Sequence, residues 1–535
     1  GFLRITVNKA RRLNRMGGGL PRMKKADRFD RIFEGLLWIG LVCFVFAVFI
    51  TNLFHFNYKM NADIASEAVL GRLIWETGQI LPDGWYGSNE VRILCAPNIA
   101  ALFYGVTHNM NLSMGLACCV MTLLVLFSIA AFCRFIGMGR RYSLLMTFLC
   151  LMIPGSFVSL ELTCLFASYY AIHVVVLFFT LGVYGDFAES GKGRIGCLIL
   201  CVLLSLCLGV QGVRGILIIY GPLCGMEAVR HLYLSYSGRR RKKEDFMISL
   251  WVAALFFFSV LGTLAPVSIG QGFSRNIRHG LQKLFTVVLP DMGRAVGFTS
   301  TGLVGKLCLG ILLLAAVFIL GEIFVRMLRK ERIRVEEWIY LILCSSPVLT
   351  ALIVAFTTID SSERYYFILI FVMAYAVVLL CMRSSQRVQT ASAVLILILA
   401  VVNFSGIYLP VFCSEEPAET ELAEAVRFLR EKGYESGYAS FENANTMTAI
   451  SNGALRIAPV ASVSKMDICK WLSSADWYVP NVPFDEITAY IITEAEREEF
   501  LELVAVKGED AFRLLTKIGK YYIYASPYNF STLGS

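Results

Sequence analysis

Two carboxylates follow the first long apolar run of the chain, which ends near residue 54. Asp63 and Glu67 are four residues apart, so a helix beginning here would carry both side chains on one face. A carboxylate held at such a place has the chemistry of a general base toward a hydroxyl, and it can also bind a substrate hydroxyl or a cation. Asp63 could equally be the N-cap of that helix. The spacing alone leaves both interpretations open.

The composition places these acids beside a membrane. Hydrophobic residues make up 57% of the 535-residue chain and charged residues 17%, whereas soluble domains have about 45–50% and about 25%. The apolar residues form runs of about 20, the length that crosses a hydrocarbon core about 30 Å thick. The sequence therefore predicts a polytopic α-helical membrane protein. We predict eleven transmembrane helices, at residues 33–54, 112–132, 143–158, 164–184, 195–210, 215–229, 247–267, 304–325, 338–356, 366–382 and 393–412.

Lys and Arg are concentrated in alternate connections, and this pattern predicts the orientation. Segment 1–32 and the connection near Arg239 are both basic and fall on the same side, which the positive-inside rule assigns to the cytoplasm. The net charge of +9 then reflects topology, and no nucleic-acid partner is predicted. The predicted parts are a cytoplasmic N-terminus (1–32), a membrane domain (33–413) with a first outer loop (55–111), and an extracytoplasmic C-terminal domain (414–535).

The first outer loop has a defined layout. Residues 63–87 read DIASEAVLGRLIWETGQILPDGWYG, an amphipathic helix followed by turns at Gly78, Pro82 and Gly84. A short apolar stretch, 93–106, then predicts an interfacial or re-entrant helix. An external acid directly after the first span, followed by two surface helices around this turn, resembles the first outer loop of the GT-C glycosyltransferases. The layout is most similar to bacterial members that use polyprenyl-phosphate sugars, such as aminoarabinose and protein O-mannosyl transferases.

The resemblance implies a GT-C-like fold with about eleven spans and a small extracytoplasmic α/β domain. It implies a multi-pass glycosyltransferase of the bacterial cytoplasmic membrane, in contact with membrane lipids. Such an enzyme would move a hexosyl or pentosyl group from a polyprenyl-phosphate donor to an extracytoplasmic glycan, lipid or protein, with inversion. It implies Asp63 as the general base, with Glu67 as the second candidate.

A departing phosphate requires cations close to the outer membrane surface. Arginine suits this role because its planar guanidinium donates two hydrogen bonds at once. The alternative for each arginine is a side chain that extends to the lipid headgroups. The predicted donor-phosphate contacts are Arg92, Arg214, Arg275, Arg278 and Arg364.

Aromatic and polar side chains near the outer end of the fourth predicted span indicate a sugar or acceptor pocket. Polar groups at membrane depth are costly and often functional, although ordinary hydrogen bonding between helices is the alternative. Tyr169 and His173 are four residues apart, on one side of a helix that spans both. Glu161, just before them, is expected to pair with a nearby arginine. The predicted pocket residues are Glu90, Tyr169, Tyr170, His173 and Tyr365.

The sequence predicts no metal site and no nucleotide-driven pump. Neither HExxH nor a CxxC pair occurs, and GxxxxGK[ST] is missing. A divalent cation at the carboxylates stays open, and no other cofactor is indicated.

The tail contains two helix patterns, ETELAEAVRFLREKGY and EAEREEFLELV, and three strand patterns, SGYASF, TAYIIT and YYIYAS. We interpret FENANTMTAISNG as a turn that faces a ligand or the core. A transporter or flippase for lipid-linked sugars, or a non-catalytic assembly protein, is the alternative function. Transporters often have repeated halves, which this sequence does not show.

Overall fold

Long apolar helices form most of the protein. The computed structural model describes residues 20–239, 242–265, 274, 277–413, 420–478, 488–527 and 529. Within these residues, eight helices are long and apolar enough to cross a membrane: Asp30–Phe54 (part of helix Leu20–Phe54), Met110–Phe135, Ala171–Ser190, Lys243–Thr263, Leu303–Leu328, Val335–Ala355, Glu363–Arg383 and Gln386–Cys413. The predicted membrane fold is confirmed, but the predicted count of eleven spans is not.

Three of the predicted spans are helices shorter than the eight membrane-crossing helices. Local backbone features lie at one end of each. The three helices are Arg140–Met152, Ile195–Gln211 and Gly221–Tyr236. Pro154 follows the first closely and cannot continue it. Gly212 ends the second with a φ of 148°, which favours glycine. A π-helical turn, Ile216–Tyr220, precedes the third.

Further short helices lie outside these elements, and they include both helices predicted for the first outer loop. The first surface helix is Ala62–Thr77 and the second surface helix is Ala96–Thr107. The others are Phe157–Thr163, Gly280–Lys283 and Leu289–Ala295.

The C-terminal region is a small α/β domain built on a mixed sheet. Strand β1 (Trp85–Tyr86) belongs to the first outer loop, and the other strands are β2 (Ser436–Ser440), β3 (Arg456–Ser462), β4 (Asp467–Ile468), β5 (Ser473–Ser474), β6 (Thr488–Thr493), β7 (Arg513–Ile518) and β8 (Tyr521–Ser526). Six of them form a sheet in the order β4-β3-β2-β6-β8-β7, with β2 parallel to β3 and β6. Helices Thr420–Glu431, Phe441–Ile450 and Arg497–Lys507 complete the domain. The three predicted strands and two predicted helices of the tail are confirmed.

The polar segment FENANTMTAISNG is a helix, Phe441–Ile450, and its interpretation as a turn is wrong. Because β2 and β3 are parallel, the chain must cross over between them, and a helix is the usual connection. Two of its polar side chains donate to backbone carbonyls: that of Asn445 to Leu472 at 2.9 Å, and the Thr448 hydroxyl to Ala444.

The C-terminal domain is docked on the first outer loop. Strand β1 pairs with β5 in antiparallel fashion, so that Trp85 lies opposite Ser474. The Arg72 guanidinium of the first surface helix donates to the carbonyl of Gly453 at 3.0 Å. The Asn452 side chain accepts from the backbone N–H of Met110 at 2.8 Å. The first surface helix is therefore in contact with the C-terminal domain, and two side chains that its amphipathic pattern assigns to the polar side, Ser66 and Glu67, are buried.

Candidate active site

Asp63 lies in the first turn of the first surface helix, but it is not the N-cap. Asn61 has that role, because its side-chain oxygen accepts a hydrogen bond from the backbone N–H of Ile64 at 2.9 Å. The capping interpretation of Asp63 is therefore wrong. Among the described residues, no backbone N–H donates a hydrogen bond to the Asp63 carboxylate. The carboxylate is paired instead with a side chain from another part of the chain.

That partner is Arg364. Its Nη1 donates to the Asp63 carboxylate at 3.1 Å, across 301 residues of sequence. Arg364 lies in the 3₁₀ turn Glu363–Tyr366, at the entry of the span that ends at Arg383. The two side chains are 34% and 36% exposed, so a ligand can reach both. The structure thus joins the predicted base to one of the predicted phosphate contacts.

The loop between residues 164 and 170 carries two predicted pocket residues, and Asn52 holds its backbone. The Asn52 side chain donates to the carbonyl of Cys164 and accepts from the N–H of Phe166, both at 2.8 Å. Phe166 and Ser168 have positive φ values of 54° and 48°, a conformation that costs energy outside glycine. The prediction of a helix through residues 164–184 is wrong at its start, since the helix begins at Ala171.

Tyr169 and His173 therefore do not share a helical face, although both lie close to the charged groups of the site. The Arg364 guanidinium lies 5.8 Å from the centre of the Tyr169 ring. Tyr169 Oη and His173 Nδ1 are both buried, and no hydrogen-bond partner satisfies either atom among the described residues. Buried polar atoms without partners are rare in native structures. They mark a place where a ligand hydroxyl or a water could complete the hydrogen bonding.

A chain of ion pairs runs beside this pocket. Arg92 contacts Glu67 at 2.7 Å and Glu90 at 3.5 Å, and Arg214 forms a salt bridge with the other oxygen of Glu90. The Arg214 guanidinium also lies 3.8 Å from the centre of the Tyr170 ring, in a cation–π contact. All four charged side chains are at least four-fifths buried.

Main-chain hydrogen bonds position this chain of ion pairs. The backbone carbonyl of Gln211 accepts a hydrogen bond from the N–H of Val91 at 2.9 Å. The side-chain oxygen of Gln211 accepts a second one from the N–H of Leu94 at 2.6 Å. The segment that carries Glu90 and Arg92 is thus fastened to the end of the helix that precedes Arg214. Tyr365 also lies beside these ion pairs, with its ring centre 5.7 Å from the Arg214 guanidinium.

The two glutamates of this chain differ in their electrostatics. Burial raises the pKa of Glu67, although Arg92 opposes the rise. Burial also raises the pKa of Glu90, but the combined attraction of Arg214, His173 and Arg92 outweighs it and lowers the pKa overall. Glu67 is 3% exposed and tied to Arg92, so it is less available to a substrate than Asp63.

Glu161 is a further acid of the site whose importance the sequence did not reveal. It lies in helix Phe157–Thr163, is 6% exposed, and forms no side-chain hydrogen bond or salt bridge within the described part of the chain. The expected pairing with an arginine is therefore absent at contact distance. Burial raises the pKa of Glu161 to about 7 against the attraction of Arg364, and the charge of Asp63 adds to the rise. In the sequence, Glu161 stands out only as a lone acid in an otherwise apolar run, SLELTCLF.

Of the two remaining predicted cations, only Arg278 is among the described residues. Arg278 is exposed, and none of its contacts within the described residues joins it to the site. Arg275 lies outside the described residues. Lys283, from the same connection, donates to the carbonyls of Thr357 and Ile359 and so fastens the backbone. Over the described ranges, no three His, Cys, Asp or Glu side chains are grouped so as to hold a metal ion.

The arrangement has the parts of a group-transfer site. It offers an accessible carboxylate beside an accessible guanidinium, a buried polar pocket next to them, and a rigid frame of ion pairs behind. A carboxylate can take a proton from a hydroxyl, and a guanidinium can stabilise the charge that develops on a leaving oxyanion.

Comparison with known proteins identifies the fold. No protein-family model matches the sequence, and no curated protein matches it. Among solved structures, ArnT from Cupriavidus metallidurans in the apo state is similar, with a TM-score of 0.55, 12% identity, and coverage of 92% of this chain and 98% of that one. The same protein bound to undecaprenyl phosphate gives a TM-score of 0.52 at 12% identity, over 94% and 99% of the two chains. ArnT is an aminoarabinose transferase. This chain therefore has a GT-C-like membrane fold, similar over nearly its whole length to that of ArnT.

Proposed function

We propose that the protein is an inverting membrane glycosyltransferase that moves a sugar from a polyprenyl-phosphate donor to an extracytoplasmic glycan, lipid or protein. The observation that carries the proposal is the accessible Asp63–Arg364 pair, a carboxylate suited to act as a base beside a guanidinium suited to bind a phosphate. The similar fold of ArnT, solved with undecaprenyl phosphate bound, supports a lipid-phosphate donor.

Asp63 acts as the general base in this proposal. It removes the proton of the acceptor hydroxyl as that oxygen attacks the anomeric carbon, and the bond to the donor phosphate breaks on the opposite face of the sugar. The burial of Glu67 and its ion pair with Arg92 make it the weaker candidate. In this proposal Glu67 holds Arg92 in position and so stabilises the chain of ion pairs beside the pocket.

Arg364 is the primary contact for the donor phosphate. Among the described residues Asp63 is the sole hydrogen-bond acceptor of its guanidinium, which has five N–H donors. Donors are therefore left for a phosphate while the pair with Asp63 persists. Arg92 and Arg214 are mostly buried and already matched by glutamates, so in this proposal they shape the site and do not make the first contact with the phosphate.

The pocket beside the pair receives the sugar. Tyr169 Oη and His173 Nδ1 supply the unsatisfied polar atoms that would hydrogen-bond sugar hydroxyls. The Glu161 carboxyl, without a contact partner among the described residues, is a third group available to such a hydroxyl. Tyr170, held under Arg214, contributes an aromatic wall.

The test is turnover of a polyprenyl-phosphate-linked sugar by the purified protein in detergent. We expect release of free polyprenyl phosphate, since a transferase needs no second compartment. Arg364→Ala should weaken donor use by roughly tenfold to a hundredfold, because a charge-assisted contact is worth about 1.5–3 kcal/mol. Movement of the intact lipid-linked sugar across sealed vesicles, with no turnover in detergent, would instead establish the flippase alternative.

We further propose that the C-terminal domain is extracytoplasmic and the connection between residues 328 and 335 cytoplasmic, in the bacterial inner membrane. Ala461→Cys and Arg332→Cys place single thiols at exposed positions of these two parts, in a background without the native cysteines. An impermeant thiol reagent added to intact spheroplasts should label only the first. Labelling of both from outside would refute the orientation.

A further inference from the structure

A large cavity lies at the membrane face opposite the candidate active site. Its volume is about 880 Å³, and Arg326, Arg329 and Arg383 are among its lining residues. Arg364 is the second residue of the span Glu363–Arg383, and Arg383 is its last. At 1.5 Å per residue the two ends are about 28 Å apart, close to the thickness of a hydrocarbon core. The cavity is therefore separate from the site described above.

A buried carboxylate next to this cavity holds two of its lining arginines. Glu337 is completely buried and accepts hydrogen bonds from both Arg326 and Arg383, the latter at 2.6 Å. Arg383 also contacts Glu322 at 3.2 Å, and Arg326 contacts Glu331 at 3.1 Å. These contacts hold the two guanidiniums in fixed positions. An arginine side chain that only extends to the lipid headgroups needs no such contacts.

Two further arginines line the cavity without such neutralisation. Arg329 and Arg334 are exposed, and neither guanidinium forms a salt bridge within the described part of the chain, although the backbone N–H of Arg334 donates to Glu337. Counting Glu337 together with the lining residues Glu322 and Glu331, four arginines face three glutamates, so the cavity keeps a positive charge. An anion with several acceptor oxygens would be bound here by charge-assisted hydrogen bonds.

An apolar strip leads from these charges toward the membrane interior. Phe318, Gly321 and Val325 all line the cavity and follow one another at spacings of three and four on helix Leu303–Leu328. Phe318 and Val325 are 61% and 44% exposed. A Cβ atom placed on Gly321 would meet nothing within 4 Å, so a groove is open between them.

We propose that this cavity binds an anionic phospholipid, with its phosphodiester between Arg329 and Arg334 and one acyl chain along the strip from Val325 to Phe318. A water-soluble phosphate would use the arginines but leave the apolar strip bare. A zwitterionic lipid would fill the apolar strip with its acyl chain, but the cationic part of its headgroup would be repelled by the positive cavity. An anionic lipid matches both features, in keeping with the binding of acidic headgroups by basic pockets between transmembrane helices.

Native mass spectrometry of the full-length protein in mild detergent tests the proposal, with phosphatidylglycerol and phosphatidylcholine of equal chain length as probes. The wild type should retain phosphatidylglycerol in preference. Arg329→Gln with Arg334→Gln should lower the bound fraction by about tenfold or more, since two charge-assisted contacts are lost. Arg332→Gln is the matched control, an exposed arginine of the same connection that does not line the cavity, and it should bind like the wild type.

Gly321→Leu tests the acyl groove separately, because it fills the strip without altering a charge and meets no neighbouring atom at its Cβ. It should lower retention of phosphatidylglycerol while the thermal melting temperature in detergent stays unchanged. Equal binding by the double glutamine variant and the Arg332→Gln control would overturn the proposal. Displacement of the lipid by glycerol phosphate, or preferential retention of a polyprenyl phosphate, would overturn the assignment to a phospholipid.

Discussion

Replacing Asp63 by Asn separates chemistry from stability at the candidate active site. The change keeps the shape of the side chain and removes its basicity. The ion pair with Arg364 is about one-third exposed on both sides, and exposed pairs contribute about 0.2–1 kcal/mol. A carboxylate in the first turn of a helix adds about 0.3–1 kcal/mol through the helix dipole. Since Asn61 supplies the cap, the loss of stability should stay below about 2 kcal/mol.

The expected loss of catalysis is larger. General-base catalysis contributes about 10²–10⁴-fold, which corresponds to roughly 2.7–5.5 kcal/mol in the activation barrier. Asp63→Asn should therefore be folded, bind the donor, and turn over at least about a hundredfold more slowly. The assay is release of polyprenyl phosphate from a polyprenyl-phosphate sugar by the purified variant, together with its melting temperature in detergent.

Glu76→Gln is the matched control for this experiment. It lies on the same surface helix and removes a carboxylate from a comparable exposed pair, with Arg72 at 2.6 Å. Turnover by Asp63→Asn equal to that of Glu76→Gln would refute the role of Asp63 as base. If Glu67→Gln were then inactive although folded, the base would be Glu67. Activity in all three variants would leave the carboxylates with a structural role and remove the main support of the transferase proposal.

Three more predictions follow from the contacts and charges of the site. Arg364→Lys should restore only part of the donor use lost in Arg364→Ala, because an ammonium cannot bind a phosphate with a planar fork, and full recovery would argue against bidentate contact. Arg92→Ala should lower the free energy of unfolding by about 3–5 kcal/mol, because it leaves the buried Glu67 without its partner. A melting temperature equal to that of the wild type would contradict a stabilising role for this ion pair. The pKa of Glu161 is raised in the folded protein to about 7, so its stabilising contribution is present in full below the unfolded pKa of about 4.5 and is lost as the pH rises through 7. The melting temperature of the wild type should accordingly fall more steeply than that of Glu161→Gln between pH 5 and pH 8, and identical slopes would refute the shift.

Much of the fold could be predicted because its signals are local. The length of an apolar run reports whether a helix can cross the membrane, and short runs rich in Tyr and Ile mark β6 and β8 of the tail. The prediction was less successful where the tertiary context overrides the local pattern. The segment 441–450 is polar and rich in small residues, yet it is helical because it connects two parallel strands. Short helices such as Arg140–Met152 share the composition of spans but not their length.

The candidate site shows the same division. From the sequence alone came a membrane protein with an acid at the start of its first outer loop, a resemblance to the GT-C transferases, and a set of candidate arginines and tyrosines. Only the tertiary structure decided that Asn61 caps the helix, that Arg364 lies beside Asp63, and that Glu67 is buried in an ion pair. The physical reason is the distance along the chain: apolar length, capping and turn chemistry act within a few residues, whereas the Asp63–Arg364 contact joins positions 301 residues apart. Which charges meet across such a separation depends on how the helices pack, and no local pattern of residues encodes that packing.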